Sequence, residues 1–419
     1  MSTGILQATH LRPSASHLAL PFFDEAHRRI AAELPDWANA QRVDEADDRA
    51  ACRDWVQRLG QGGWLGYCVP GEFGGALPQL DSRALVVLRE TLAFYSPLAD
   101  FALAMQGLGS GAISLGGSTA VRRAYLPDVA SGRKIAAFAL SEPDAGSDVA
   151  AMKLIASAAR PDCAMQEKDG SFFLDGQKTW ISNGGMADFY CVFAKTDPDG
   201  GSRGISAFVV DRASEGLDDS AHIAVMAPHP LATLSFTRCR VQADQMLGEV
   251  NGGFKLAMQT LDIFRASVAG AALGMARRAL AEAIHHAQHR RMFNQTLADF
   301  QLTQARLGEM AALIDAGALL TYRAAWLRDT AQGSAKERSV AAKHQKDCSV
   351  AAAMAKMCAT ENAQRVIDMA LQMHGGLGVM VGSKVESLYR DIRALRIYEG
   401  ATEVQQLIIG KAVLQEAQS

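Results

Sequence analysis

The segment around Glu399 combines a carboxylate with a chain turn and the start of a helix. Gly400 ends one element, and Thr402-Glu403-Val404-Gln405 matches the capping-box pattern, so a helix is predicted to begin at Thr402. The first N–H groups of a helix lack internal partners and attract phosphate. A carboxylate in a loop beside such a site can act as a general base, whereas a Glu is otherwise usually solvated. From these residues alone both interpretations stay open.

The loop at Phe138–Asp148 follows a predicted strand and is rich in small and hydroxyl residues. Gly146 permits close approach of the backbone to a ligand, and Ser141 and Ser147 can donate hydrogen bonds to carbonyl or phosphate oxygens. An ordinary β-turn is the alternative.

A second segment, Lys178–Gly185, ends a strand with an indole and a hydroxyl two residues apart. Because strand side chains alternate, Trp180 and Ser182 are predicted to share a face. The flat indole can lie against a flat cofactor. The alternative is a strand that buries its Trp in the core.

Two further patterns are set aside. Gly107-x-Gly109-x-x-Ala112 imitates a dinucleotide fingerprint, but the residues before it favour a helix instead of the required strand. His285 and His289 are one helical turn apart, yet no further zinc ligands accompany them, so a solvated helix face is the preferred interpretation.

Hydrophobic periodicity predicts helices, then strands, then helices. The chain is accordingly predicted to be α+β, with an N-terminal helical domain at 1–134, a middle antiparallel β domain at 135–250, and a C-terminal helical domain at 251–419. The predicted strands are Ala136–Leu140, Ser171–Leu174, Lys178–Ser182, Asp188–Thr196, Gly204–Asp211 and Ala232–Val241, with Asp-Gly turns at 169–170 and 175–176. The longest C-terminal helices are predicted at Gln301–Thr330 and Ser339–Met373, joined by a polar linker at 332–336.

Composition indicates an ordinary soluble globular protein. The 419 residues are 49% hydrophobic and 21% charged, with a net charge of -3, which disfavours disorder, a membrane protein and nucleic-acid binding. The acidic excess lies before residue 253, and the net positive remainder suits an anionic nucleotide cofactor. Residues 1–16 lack a targeting pattern, and the seven cysteines are scattered, so a cytoplasmic protein with reduced thiols is predicted.

Taken together, these segments resemble the acyl-CoA dehydrogenase family. The Ser-Glu-Pro-Asp-Ala-Gly-Ser-Asp stretch from Ser141 and the Gln-Lys-Thr-Trp-Ile-Ser-Asn-Gly stretch from Gln177 look like two of its hallmarks. Three further matches follow downstream, at 290–301, 372–378 and 390–400. Five motifs in order are far more specific than one.

The resemblance implies that the middle β domain is an antiparallel β-barrel or sandwich and that the C-terminal domain is a four-helix bundle. It also implies FAD as cofactor and Glu399 as the base that removes the α-proton of an acyl-CoA. Ser141 and Ser182 would hydrogen-bond the flavin near O4 and N5, with Trp180 beside it. Arg290, Phe293 and Gln301 would reach the FAD of a neighbouring subunit, and Gln372 and Gly376 would lie near its adenine end. The implied cofactor residues are Ser141, Ser147, Trp180, Ser182, Arg290, Phe293, Gln301, Gln372, Gly376, Ala401 and Glu403. The implied substrate residues are Ser147, Asp262, Arg265, Tyr398 and Gly400. No metal is implied.

The sequence departs from the family pattern at two positions. Asn294 replaces a Gly, a mild change because Asn tolerates a left-handed backbone. Ala401 replaces a Thr, which removes one hydroxyl that could contact the cofactor. Some family branches place the base at the position of Phe264, which cannot take a proton.

The function predicted from this resemblance is α,β-dehydrogenation of an acyl-CoA thioester to a trans-2-enoyl-CoA, in fatty acid or acyl-CoA catabolism. Electron-transferring flavoprotein is the expected electron acceptor, and a homotetramer the expected assembly. An acyl-CoA oxidase or another flavoenzyme of this fold is one alternative, and a non-catalytic flavin- or acyl-CoA-binding protein is another.

Overall fold

The computed structural model describes residues 11–158, 170–331 and 338–418. Three predicted features lie outside this part of the chain. They are the linker at 332–336, the Asp169-Gly170 turn, of which Asp169 is not described, and Cys163. The observed order is helices, strands, helices, as predicted.

Ten α-helices occur within the described residues. Their bounds are α1 Glu25–Ala40, α2 Asp48–Gln61, α3 Ser82–Tyr95, α4 Pro97–Gly116, α5 Thr119–Ala130, α6 Gly253–His289, α7 Gln301–Ala331, α8 Arg338–His374, α9 Lys384–Leu395 and α10 Thr402–Glu416. The two long helices predicted at Gln301–Thr330 and Ser339–Met373 match α7 and α8 closely.

Residue contacts divide the chain into two compact units that are discontinuous in sequence. The helical unit comprises residues 11–42, Ser82–Asp100 and 265–418, and the β unit comprises Val43–Asp81 and Phe101–Phe264. The predicted domain borders at residues 134 and 250 stay a prediction.

The β unit is built on a sheet that has eight strands in the described residues. The strands are β1 Ala136–Ala139, β2 Ile155–Ala158, β3 Phe172–Ser182, β4 Phe189–Lys195, β5 Ile205–Asp211, β6 Leu217–Ile223, β7 Leu231–Val241 and β8 Met246–Leu247. Their order is β6-β7-β3-β2-β4-β5-β8, with β1 also paired to β4. Most pairs are antiparallel, as predicted, but β1 and β2 run parallel to β4.

One predicted hairpin is wrong. The Asp175-Gly176 pair was expected to turn the chain between two strands, but both predicted strands belong to the continuous β3. Gly176 has a φ of 135°, and the register with β7 shifts between Leu174 and Gly176, so the dipeptide forms a bulge. The Asp175 carboxylate accepts the Arg238 backbone N–H at 2.7 Å, which ties this bulge to β7.

The core of the β unit lies between the sheet and α4, α5 and the start of α6. Phe189, Phe193 and Val209 from the sheet meet Ile113 of α4 and Leu126 of α5, all buried.

The glycines of α4 that imitate a dinucleotide fingerprint serve packing inside the β unit. A Cβ at Gly107 would lie 2.5 Å from the Phe264 ring, and one at Gly109 would lie 2.7 Å from the Ala136 backbone. These glycines let the helix approach its neighbours closely, and the expectation of a helix at this segment is confirmed.

The helical unit is organised around two long helices, α7 and α8, which pack along each other. Helices α9 and α10 pack on α8, while α3 contacts both α1 and α7. Small side chains such as Ala318, Ala325, Ala359 and Ala363 are buried in this unit, which explains the alanine-rich composition of the C-terminal part.

Among the described residues, α4 is the one helix long and apolar enough to cross a membrane by length and composition. However, 89% of its most apolar window is buried inside the protein.

Candidate functional site

Glu399 lies in the short connection between α9 and α10, within the helical unit. Its backbone adopts the left-handed region with a φ of 52°, and Gly400 follows at 93°. A positive φ is uncommon for a residue other than glycine and costs free energy, so the surrounding contacts must hold the turn. Both carboxylate oxygens of Glu399 are buried, and neither has a hydrogen-bond partner in the part of the chain that the structure describes.

Burial and nearby charges act on the Glu399 carboxylate in opposite directions. Burial raises its pKa because desolvation disfavours the charged form, and this is the largest effect. The positive charges of Arg89, Lys356 and Arg265 lower the pKa, and the negative charge of Asp100 raises it. The net pKa lies above the ordinary value, which makes the carboxylate a stronger base than a solvated Glu.

The contacts that hold the Glu399 turn were only partly predicted. Helix α10 begins at Thr402 as expected, but the capping box does not form, because Ala401 is the N-cap. The Thr402 hydroxyl donates to Glu361 Oε1 at 2.6 Å, and Gln405 Nε2 donates to the Gly400 carbonyl at 2.9 Å. The polar residues of the motif thus brace the turn instead of capping the helix.

A buried ion pair beneath this turn was missed in the sequence. Arg89 Nε and Nη2 donate to the two carboxylate oxygens of Asp100 at 2.8 and 3.0 Å, and Arg89 Nη1 donates to Ser267 Oγ at 3.0 Å. Tyr398, beside Glu399, also hydrogen-bonds Arg89, and burial raises the pKa of its phenol. The one available signal was a charged residue inside the apolar run of α3.

Within the β unit, a buried ion pair joins the two segments that were predicted to contact a ligand, 138–148 and 178–185. Lys178 Nζ donates to Glu142 Oε1 at 2.7 Å and to the Leu140 carbonyl at 2.9 Å, and its side chain is fully buried. The Thr179 backbone N–H donates to the Ser141 carbonyl at 3.0 Å. Glu142 and Lys178 therefore bring Ser141 next to the strand that carries Trp180 and Ser182.

The alternation assumed for Trp180 and Ser182 does not hold. The register of β3 with β7 shifts between Lys178 and Ile181, and Trp180 has a φ of 58°. A bulge therefore lies at Trp180 and turns the indole outward, where it is 58% exposed. The alternative of a core Trp is wrong, because this ring is left uncovered.

The Ser182 hydroxyl has a partner that the sequence did not indicate. Ser182 Oγ and His229 Nε2 are 3.1 Å apart, and the His229 ring lies 3.9 Å from the Phe101 ring, all inside the β unit. Burial lowers the pKa of His229 to about 3, so the ring is neutral at physiological pH.

A cavity of about 850 Å³ in the helical unit brings together three residues of the downstream motifs, Arg290, Gln372 and Gly376. His286 and His374 also line it, with their rings stacked at 4.4 Å. An added Cβ at Gly376 would meet no atom within 4 Å, so the glycine leaves open space toward the cavity.

Phe293 and Asn294 form the two-residue turn between the short strands β9 Arg291–Met292 and β10 Gln295–Thr296. Both have a positive φ, of 47° and 64°, as a type I′ turn requires. Asn294 thus adopts the left-handed backbone on which the interpretation of a mild replacement of Gly depended. Phe293 is 81% exposed and contacts Phe300 edge-on.

The remaining candidate residues occupy varied positions. Ser147, Gln301 and Glu403 are exposed, Asp262 and Ala401 are half-buried, and Arg265 and Phe264 are buried. Phe293 and Gln301 do not line the cavity around Arg290.

His289 Nδ1 lies 2.7 Å from the His285 carbonyl oxygen. The described residues contain no cluster of three or more His, Cys, Asp or Glu that could hold a metal. The six cysteines in the described ranges are free thiols.

Sequence models of one family match most of the chain in three consecutive stretches. These are the acyl-CoA dehydrogenase N-terminal domain at residues 22–133, the middle domain at 137–239 and the C-terminal domain at 251–414.

Characterised relatives cover nearly the whole chain. A 3-(aryl)acrylate reductase of Clostridium sporogenes is 36% identical over 94% of this chain and 100% of its own length. The caffeyl-CoA reductase-Etf complex subunit CarC of Acetobacterium woodii is 33% identical over 94% and 100%. The human mitochondrial short-chain specific acyl-CoA dehydrogenase is 36% identical over 94% and 92%.

Solved structures have the same fold. Butyryl-CoA dehydrogenase from Megasphaera elsdenii superposes with a TM-score of 0.83 at 30% identity, covering 94% of this chain and 99% of that one. An acyl-CoA dehydrogenase complexed with FAD from Bacillus anthracis gives a TM-score of 0.82 at 29% identity, covering 94% and 68%.

Proposed function

The chain belongs to the acyl-CoA dehydrogenase family of FAD-dependent oxidoreductases acting on CH–CH bonds, and from that premise we propose that it oxidises an acyl-CoA to a trans-2-enoyl-CoA with Glu399 as the base. The observation that carries the proposal is the buried Glu399 carboxylate, whose oxygens have no hydrogen-bond partner within the described residues. A buried acceptor without a partner is costly for stability, which is the pattern expected of a group kept for chemistry.

The residues of the chain fit the FAD that the family uses. The outward-facing indole of Trp180 offers a flat apolar surface to an isoalloxazine ring, and the Ser182 hydroxyl offers a hydrogen bond to its polar edge. Arg290 suits a pyrophosphate because its guanidinium fork pairs with phosphate oxygens. When bound, FAD supplies the acceptor of the β-hydride at N5.

Glu399 takes the α-proton of the thioester, and its own backbone N–H supports the carbonyl oxygen as negative charge develops there. Arg89, Arg265 and Lys356 stabilise the carboxylate before the transfer. After the transfer the protonated carboxyl is favoured by its burial. The roles of Arg265, Tyr398 and Asp262 toward the CoA portion belong to the same proposal.

Electron-transferring flavoprotein is the acceptor that the relatives favour, since the relative from A. woodii is named as a subunit of a complex with it. A homotetramer in the cytoplasm remains our proposal for the assembly.

The reverse reaction is a second candidate. Two of the relatives are named as reductases of an aryl acrylate and of caffeyl-CoA, and the raised pKa of Glu399 suits a carboxyl that returns a proton to carbon 2. Assays in both directions separate the two, with butyryl-CoA and 3-phenylpropionyl-CoA for oxidation and cinnamoyl-CoA for reduction. Rapid reoxidation by oxygen would instead favour an oxidase.

The decisive test is the Glu399→Gln variant. Glutamine keeps the size and hydrogen-bonding capacity but cannot accept the proton, so FAD and acyl-CoA should still bind while flavin bleaching slows by at least about 100-fold. Bleaching is measured by anaerobic stopped-flow absorbance after mixing with the best acyl-CoA of the panel.

Glu416→Gln is the matched control, because Glu416 is an exposed carboxylate at the far end of α10, the helix that follows Glu399. It should bleach at close to the wild-type rate. Bleaching of Glu399→Gln at the wild-type rate would show that the proton is taken elsewhere.

A further inference from the structure

Lys356 is a buried lysine for which neither the family motifs nor the composition gives a role. It lies on α8 with a fully buried side chain, among the buried Ala352, Ala353 and Ala355. A lysine is rarely buried completely unless its charge is paired, because desolvation of an ammonium group is expensive. Something in its surroundings must compensate that cost.

The ammonium group of Lys356 reaches the turn that carries Glu399. Nζ donates to the Gly400 carbonyl at 2.7 Å, the same oxygen that accepts from Gln405 Nε2 at 2.9 Å. Gly400 has a φ of 93°, and a Cβ there would lie 2.4 Å from Gln405 Nε2. The carbonyl that orients this turn is therefore held from two sides, once by a neutral amide and once by a cation.

The charges around Lys356 single out Glu399 as its electrostatic partner. Burial lowers the pKa of Lys356 to about 8, and of the three carboxylates that raise it, Glu399 acts most strongly, ahead of Glu361 and Glu403. Glu361 already accepts from Arg396 at 2.8 Å and from Thr402, and Glu403 is exposed. Arg265 opposes them as a like charge.

The other cations near Glu399 are differently placed. Arg89 is paired with Asp100 through two hydrogen bonds, so that pair adds little net charge. Arg265 lies on α6 and Lys356 on α8, and both lower the pKa of Glu399. Lys356 also donates a hydrogen bond to the Gly400 carbonyl, directly next to Glu399.

We propose that Lys356 is a positioning residue for proton abstraction, in which its ammonium group both anchors the left-handed Glu399-Gly400 turn and serves as the counter-charge of the Glu399 carboxylate. This inference rests on the proposed role of Glu399 as the base. Its consequence is that Lys356 sets the pH at which Glu399 becomes able to accept the proton. The positive charge of Lys356 favours the ionised Glu399 carboxylate. Because the described residues make no hydrogen bond to the carboxylate oxygens, these oxygens stay available to accept the proton.

The test is the pH dependence of flavin bleaching by the holoenzyme, measured anaerobically from pH 5 to 8 with the best acyl-CoA among butyryl-CoA, octanoyl-CoA and 3-phenylpropionyl-CoA. Loss of a nearby positive charge disfavours the ionised base. In Lys356→Met the acid limb of the rate profile should therefore move upward by about one pH unit, a tenfold loss of rate on that limb.

Two further variants separate charge from anchoring. Lys356→Gln keeps a donor for the Gly400 carbonyl but removes the charge. Its acid limb should shift as in Lys356→Met, while its maximal bleaching rate at high pH, the plateau, should be higher than that of Lys356→Met. Gln405→Leu removes the uncharged hydrogen bond and should lower the plateau without moving the limb. Lys346→Met, an exposed lysine on the same helix, should match wild type.

An unmoved limb in Lys356→Gln and Lys356→Met would overturn the proposal, whatever happens to the plateau. If Lys356→Met does not retain FAD, the milder Lys356→Gln decides alone. The failure of the base assignment itself would appear elsewhere, as unchanged bleaching in Glu399→Gln, so the two proposals fail by different measurements.

Discussion

At the scale of single residues, a few of the predicted site residues have an uncommon backbone conformation. Glu399, Trp180, Phe293 and Asn294 all have a positive φ although none is glycine. Such conformations persist only where surrounding contacts enforce them, and they cluster at functional sites. Only Asn294 could be expected from residue type, since the other three side chains give no hint of left-handed backbone.

His229 allows a pH prediction for the β unit. Its folded pKa of about 3 lies below the ordinary 6.5, so the folded state prefers the neutral ring. Above pH 6.5 the ring is neutral in both states and its contribution is complete. As the pH falls from 6.5 toward 3, the unfolded chain gains a proton that the folded chain refuses, and the free energy of unfolding decreases by up to about 1.4 kcal/mol per pH unit.

The measurement compares urea unfolding of wild type and His229→Gln at pH 7.5 and pH 5. Glutamine can still bond Ser182 but does not titrate in this range, so the variant should lose less stability on acidification. His17 and His286, whose pKa values are also lowered, contribute a common background. Equal slopes for the two proteins would show that His229 is not the titrating group.

At the scale of elements, periodicity predicted the long helices and the apolar strands well, because burial of one face leaves a clear pattern. It missed β2, β6 and β8. The residues of β6, Leu217–Ile223, are mostly polar and exposed at the sheet edge, so no hydrophobic alternation marks them. The capping box failed for a different reason: Ala401 is the N-cap of α10, and the Thr402 hydroxyl donates instead to Glu361 on α8. Contacts between remote segments decide such details.

Close helix packing in the helical unit gives an element-scale prediction. A Cβ at Gly274 on α6 would lie 2.1 Å from the Glu90 carbonyl oxygen of α3, and backbone cannot yield cheaply. Gly274→Ala should therefore lower the free energy of unfolding by about 1–3 kcal/mol or more.

Gly308→Ala is the control for Gly274→Ala, and it is expected to raise the free energy of unfolding instead of lowering it. Gly308 is exposed on α7, and a Cβ there would meet nothing within 4 Å. Helix propensity alone should then stabilise the variant by about 0.5–1 kcal/mol. Thermal unfolding of both variants is the measurement, and a Gly274→Ala protein as stable as Gly308→Ala would contradict the packing argument.

At the scale of the whole molecule, five motifs in order sufficed to predict the family, the fold and the cofactor. They carried this information because each motif is a contiguous stretch in which the types and spacing of the residues can be read directly from the sequence. They could not reveal that Glu142 and Lys178 act as a buried pair joining two motifs, nor that Lys356 reaches the turn beside Glu399 from α8. Those links join segments far apart in sequence, and a single sequence does not show which distant residues meet.

The assembly itself is tested through Arg290, which is exposed and lines the 850 Å³ cavity with Gln372 and Gly376. We expect this cavity to receive the FAD of a second subunit, with the guanidinium of Arg290 on the pyrophosphate. Arg290→Ala should then weaken FAD retention by about tenfold or more, as loss of a charge-assisted hydrogen bond implies, and shift the protein toward smaller species.

Arg291→Ala is the control, because Arg291 is the adjacent exposed arginine and does not line the cavity. Flavin absorbance after gel filtration reports FAD content, and the elution volume reports assembly. Both should change together in Arg290→Ala and neither in Arg291→Ala, since one side chain is proposed to bind a cofactor across a subunit boundary. An Arg290→Ala protein with wild-type elution and wild-type FAD content would leave the cavity without this role, while the fold and the assignment of Glu399 would stand.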